Sequence, residues 1–180
     1  MNSNPKLAWT TICLSLALTT SIFAQEMPTL SDEIKELQRF LGAWDTAAFA
    51  RPAKLTPDGR QYTGRVHCEP ILDGQVIQGK GRFSRGDGTG SDTVLMWTYD
   101  KRKKTYELAQ YASSGTFNRW TGQWDAASKT FTFKDLRDNG QMDTFTFQFK
   151  DSDTIQVIRE LKDSDGTIYL FLDGGWTRKE

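Results

Sequence analysis

From Trp44 onward the chain is cut into short strand-forming runs by turns rich in Asp, Asn and Gly, and no helical period long enough to cross over a parallel sheet intervenes. The runs are Trp44 to Ala50, Gln61 to Glu69, Gln75 to Phe83, Thr93 to Tyr99, Thr105 to Ala112, Thr116 to Trp124, Thr130 to Leu136, Met142 to Lys150, Thr154 to Leu161 and Thr167 to Asp173. Most links are hairpin-sized, such as Asp138-Asn139-Gly140 and Asp163-Ser164-Asp165-Gly166. Alternation is clearest late: Phe131 and Phe133 lie opposite Thr130 and Thr132, and Phe145, Phe147 and Phe149 repeat the pattern. Ten runs joined this way predict an all-β, antiparallel up-and-down meander, and closing it into a barrel removes the exposed edges of an open sheet. The one long link, Arg51 to Arg60, carries Pro52, Pro57 and Asp58-Gly59 and is expected to be a mobile lid over one mouth.

Before the first run, Ser31 offers an N-cap, Asp32 and Glu33 suit a helix start, and Ile34, Leu37, Phe40 and Leu41 recur at helical spacing. Gly42 is expected to stop this short helix by adopting a left-handed conformation. Further upstream, Lys6, the apolar run Leu7 to Phe23 and the small residue Ala24 read as a cleaved export signal over residues 1–24. A membrane span would want about 20 strongly apolar residues, and this run is diluted with hydroxyls. The remainder, 25–180, is the size of one domain, and the expected location is periplasmic or extracellular in a bacterium. The whole chain balances 23 basic against 23 acidic residues, which gives no electrostatic footprint for nucleic acid. Cys68 alone would survive processing, so the barrel must be held by an apolar core rather than a disulfide.

Leu41-Gly42-Ala43-Trp44 resembles the opening Gly-x-Trp of the calycin superfamily (lipocalins, fatty-acid-binding proteins, nitrobindin-like barrels). There the preceding turn plugs one end, the Trp packs across it, and a late arginine lies over the Trp. The resemblance implies that Trp44 and Arg178 form such a barrel-end pair. Glu69-Pro70-Ile71-Leu72-Asp73-Gly74 is similar to the Glu-x-x-Leu-Gly-Gly turn of a bacterial family, domain of unknown function 1579, with Asp73 at the first Gly. Trp97-Thr98-Tyr99-Asp100 followed by Lys104 and Tyr106 resembles its Gly-Tyr-Asp-x-x-x-Lys-x-Tyr hairpin, with Thr98 at the Gly. Trp176-Thr177-Arg178-Lys179 matches its aromatic-x-Arg ending. The resemblance implies a calycin-like barrel capped by the short helix, and no established activity.

Catalytic and cofactor chemistry find little support. His67 is the only histidine, so no Ser-His triad is suggested. Haem-holding barrels of the nitrobindin kind use a histidine near the last strand, where this chain has none. His67 and Cys68 are adjacent and point to opposite faces of a strand, which defeats joint metal ligation. We therefore expect no cofactor and no metal. Arg159 shares a face with Ile155, Val157 and Leu161, placing a guanidinium on an apolar side where it could hold an anionic head group. No carboxylate is apparent on the neighbouring eighth strand to pair with it. Trp97, Trp120, Tyr106 and Phe147 are expected to join Arg159 as ligand-binding residues, although aromatics also simply fill small barrels.

The leading expectation is an exported barrel that binds a small apolar or amphipathic, possibly anionic, molecule without turning it over, with no nucleic-acid partner and no membrane span after processing. One alternative is an isomerase- or cyclase-like enzyme using Glu107 or Glu160 as base. The other is a barrel with a filled interior that serves as a protein-interaction module.

Overall fold

A computed structural model describes residues 29–179, and the expected cleavage after Ala24 lies outside them. Ten antiparallel strands follow a short helix: β1 (Gly42–Ala50), β2 (Arg60–Ile71), β3 (Val76–Arg85), β4 (Gly90–Asp100), β5 (Thr105–Ala112), β6 (Phe117–Asp125), β7 (Thr130–Leu136), β8 (Met142–Phe149), β9 (Thr154–Lys162) and β10 (Ile168–Arg178). Each strand pairs with its neighbours in sequence, and β1 pairs with β10 to close the barrel.

The expected strands are all present, and the main difference is the length of β10. It runs through Gly174-Gly175 to Arg178 instead of ending at Asp173. Two consecutive glycines read as a break, yet they are what lets the strand continue. A Cβ on Gly174 would collide with the Ala47 carbonyl oxygen and with Ala48 on β1, so only glycine permits this close approach.

The cap also differs in detail. The helix α1 (Asp32–Leu37) passes into a 3-10 turn, Gln38–Phe40, before Gly42 is reached. Ser31 has the extended backbone of an N-cap, but its hydroxyl makes no capping bond. Gly42 opens β1 with φ +111°, and a Cβ there would run into the Arg178 guanidinium.

The helix and turn drive Ile34, Leu37 and Phe40 into the adjoining end of the barrel, where all three are buried. Phe40 stacks on Trp97 at 4.6 Å between ring centroids and meets Phe147 and Phe149 edge-on at 5.2 and 5.1 Å. Its carbonyl oxygen accepts a 2.7 Å hydrogen bond from the Trp44 indole N–H, which ties the turn to β1. Trp97 fits beside Phe40 because Gly79 faces it, and a Cβ there would come within 3.0 Å of the indole. Arg178 closes this end. Its guanidinium lies 4.3 Å from the Trp44 ring centroid and donates to the carbonyl oxygens of Leu41 (2.7 Å) and Ser152 (3.0 Å). Asp153 adds an ion pair at 3.1 Å.

The plug should therefore carry much of the stability. Phe40→Ala is expected to cost about 3–5 kcal/mol, read as the loss of unfolding free energy in urea, because the surrounding rings are held by the sheet and cannot collapse into the space. A loss below about 1 kcal/mol would show that the turn is an ornament on a self-sufficient barrel.

Candidate ligand-binding site

The end away from the helix is hollow. A cavity of about 400 Å³ opens between the strand ends there, within the range of small-molecule sites. Its apolar wall includes Leu95, Phe145, Val157, Leu161, Leu172 and Trp176. Gln110 and Asn118, hydrogen-bonded to one another at 3.2 Å, supply polar groups, and Arg85, Arg137 and Arg159 supply charge. Among the described residues no Asp or Glu lines it. Six of the seven exposed large apolar side chains among the described residues (Phe49, Leu55, Tyr111, Phe117, Leu136 and Ile168) sit at this same end, so the rim is apolar as well as the wall.

The Arg51–Arg60 link covers part of the opening, as expected of a lid, with Leu55 on the cavity lining. It is tied down rather than loose. The Arg51 and Leu55 amides donate to the Phe171 and Tyr169 carbonyl oxygens at 2.9 Å each, and the Thr56 hydroxyl donates to the Arg51 carbonyl oxygen at 2.8 Å. Lys54 lies 4.2 Å from the Tyr169 ring centroid and hydrogen-bonds its hydroxyl.

Arg159 points inward and meets a carboxylate that the sequence reading did not supply. Asp143 on β8 is fully buried and accepts from Arg159 Nε at 3.1 Å and Arg159 Nη2 at 2.7 Å. Arg137, from the turn between β7 and β8, donates to the same carboxylate at 2.7 Å. Above the pair, Arg159 lies 5.1 Å from the Trp120 ring centroid and 5.7 Å from that of Phe145. The expectation of no carboxylate on the eighth strand is thus corrected. Asp143 has the same parity as Phe145, Phe147 and Phe149, so it must face inward with them; extending the alternation two residues toward Met142 finds it. Replacing Arg159 would leave a buried carboxylate with one partner in place of two, so the side chain also supports the fold.

Of the other expected ligand residues, none lines the cavity. Trp97 and Phe147 are fully buried in the aromatic layer around Phe40, and Tyr106 is buried against Phe131 at 5.0 Å. Trp120 lies behind Arg159 as its support. The indole N–H groups of Trp97 and Trp120 are buried without an acceptor among the described residues. The aromatics that do reach the cavity are Phe83, Phe145 and Trp176. Depth along the strand, not residue type, decides the role: counting toward the open end of β8, Phe149 and Phe147 belong to the plug and Phe145 to the cavity.

The enzyme candidates fall outside the barrel. Burial pushes the Glu107 carboxyl up, but hydrogen bonds and charge from Arg119 and Lys103 outweigh this and hold it below the usual carboxylate range. Glu160 pairs with Lys162 at 2.7 Å, and neither glutamate lines the cavity. His67 is exposed on the outer face of β2, alongside the Arg65–Asp45 and Lys80–Glu69 pairs. Among the described residues no three His, Cys, Asp or Glu side chains are grouped to hold a metal ion, and no helix is long and apolar enough to cross a membrane.

Fold and cavity together define a class, the small up-and-down barrel with one plugged end and one hollow end. Within it, this chain belongs to the family described as protein of unknown function DUF1579, matched over residues 29–178. No curated protein matches the sequence. Among solved structures, Rv2717c from M. tuberculosis is similar at TM-score 0.61 and 13% identity, covering 84% of this chain and 100% of that one. The S-type phycobiliprotein lyase CPES from Guillardia theta is similar at TM-score 0.56 and 14% identity, covering 88% of this chain and 98% of that one. A de novo designed fluorescence-activating β-barrel matches at TM-score 0.46 and 20% identity, covering 79% and 95%. At these identities the likeness is one of fold.

Two buried groups in the plugged half give a pH signature. Burial pushes the Cys68 thiol from 9.0 to about 12, and Tyr106 from 10.0 to about 12, the latter also raised by Glu33 and Glu36. Both hold their protons in the fold and lose them more readily when unfolded, so the stability they confer is full below their unfolded values and falls as pH rises toward about 12. The thermal midpoint should drop steadily above pH 9.0, and Cys68→Ala should flatten that drop whatever it does to the midpoint at neutral pH. An identical slope in the variant would contradict the buried-thiol account.

Proposed function

We propose that this protein is an exported carrier that binds a small amphipathic molecule, without chemical turnover, in the hollow half of its barrel. The observation that carries the reading is the division of the interior: one half is packed solid with aromatic rings, while the other keeps about 400 Å³ open behind an apolar wall and rim. A barrel built only as an interaction module has no reason to maintain such a space, since closing it would bury more apolar surface at about 25 cal/mol per Å². Among the described residues no histidine lines the cavity, and the one carboxylate beside it, Asp143, is held by Arg159 and Arg137 rather than free to act as a base, which favours binding over catalysis. Export is supported by Lys6, the apolar run to Phe23 and Ala24.

The uncharged fluorophore N-phenyl-1-naphthylamine tests the cavity directly. Its emission should rise on titration with the protein and saturate at one molecule per chain. Ala112→Trp, which sets an indole into the cavity, should lower the affinity by at least about tenfold, a loss near 1.4 kcal/mol, while the far-ultraviolet spectrum stays that of the barrel. Unchanged affinity in that variant would place the probe elsewhere and remove the reading.

A further inference from the structure

Resting on the cavity reading above, we infer that Arg137 and Arg159, aligned by the buried Asp143, form a head-group site for a singly charged carboxylate whose apolar tail lies along the Leu95–Trp176 wall. Asp143 is out of a ligand's reach, buried beneath the two guanidinium groups that bond it. It is fully buried, its Oδ1 accepts from Arg159 Nε, and its Oδ2 accepts from both Arg159 Nη2 and Arg137 Nη2. What it does is hold two guanidinium groups together that would otherwise repel. Both guanidiniums line the cavity, and each keeps its Nη1 amino group without a hydrogen-bond acceptor among the described residues.

Counting Arg85, the third arginine of the lining, and Asp135, which lies opposite Asp143 in the β7–β8 ladder, the charges are three positive and two negative, a surplus of one. Asp135 approaches Arg137 only at 3.7 Å and from a partly exposed position, so it screens the edge of the cluster without filling the cavity side. Both arginine side chains keep some exposure, 30% for Arg137 and 19% for Arg159, so solvent reaches the pair, and a planar carboxylate entering the cavity can accept from two such donors at once. The faces of Trp120 and Phe145, at 5.1 and 5.7 Å, fix the plane of the Arg159 guanidinium, so the site is built before the ligand binds. A ligand carrying two charges exceeds the surplus, and a neutral one leaves it uncompensated. The chemistry selects a monoanionic amphiphile.

Calorimetric titration of the full barrel with decanoate, decanol and decyl phosphate at pH 8 separates the possibilities. Wild-type protein should bind decanoate at least about tenfold more tightly than decanol, the effect of one charge-assisted hydrogen bond net of desolvation. Decyl phosphate should bind no more tightly than decanoate. Arg159→Gln and, separately, Arg137→Gln should bring decanoate down toward the affinity of decanol; having both variants guards against one of them failing to fold. Equal binding of decanoate and decanol by the wild type would overturn the head-group site while leaving the apolar cavity reading intact. Preference for decyl phosphate would overturn the single-charge selection. Failure of all three to bind would overturn the cavity reading as well.

Discussion

Everything inside this barrel is arranged around the ring of Phe40. A closed ten-stranded sheet encloses more volume than its own inward side chains fill, and the chain solves this at one end only. A short helix and 3-10 turn carry Phe40 into the interior, where Trp97, Phe131, Phe147, Phe149 and Trp176 gather around it at centroid distances from 4.6 to 6.5 Å. The indole N–H of Trp44 fixes the turn through the Phe40 carbonyl oxygen, and Arg178 fixes Trp44 through its ring face and the Leu41 carbonyl oxygen. The first and last strands are thereby joined by side chains as well as by the ladder that closes the sheet.

The hollow half follows from where that plug ends. Trp176 belongs to both regions: it packs on Phe147 at 5.7 Å and its other side lines the cavity. One step toward the open end, the inward residues change from aromatic to charged on the β7–β9 side, giving Arg137, Asp143 and Arg159, while the β10 and β1 side stays aliphatic or small with Leu172 and Ala48. The cavity thus has a cationic wall and an apolar wall. Packing one buried carboxylate between two arginines is a weak device for stability, since apolar residues of the same volume often do as well or better. Its place at the boundary between plug and cavity is what the proposed head-group site requires.

Much of this was legible in the sequence. The period of two in the strand runs and the Asp, Asn and Gly turns specify the meander, and the resemblance of Leu41-Gly42-Ala43-Trp44 to the calycin entry implies the plugged end. Arg178 over Trp44 is implied by the same resemblance. Other features required three dimensions. Gly174-Gly175 looks like a strand terminator until the close approach of Ala48 explains it. The role of each aromatic depends on its height above Phe40, which a linear pattern does not give, so Trp97, Trp120, Tyr106 and Phe147 read as ligand residues alongside Arg159 although only Arg159 lines the cavity. Asp143 is within reach of sequence reasoning through its parity, but Phe145, Phe147 and Phe149 dominate that face of β8 and make it read as wholly apolar.

The most direct measurement is a crystal structure of the protein grown with decanoate. The account predicts density for the carboxylate inside the barrel, about 3 Å from the free amino groups of Arg137 and Arg159, with the alkyl tail against Trp176 and Leu172. The plug around Phe40 would be unchanged. Decanoate found only on the outer surface, with the cavity holding ordered water against its apolar wall, would contradict the central claim that the hollow half of this barrel is a binding site.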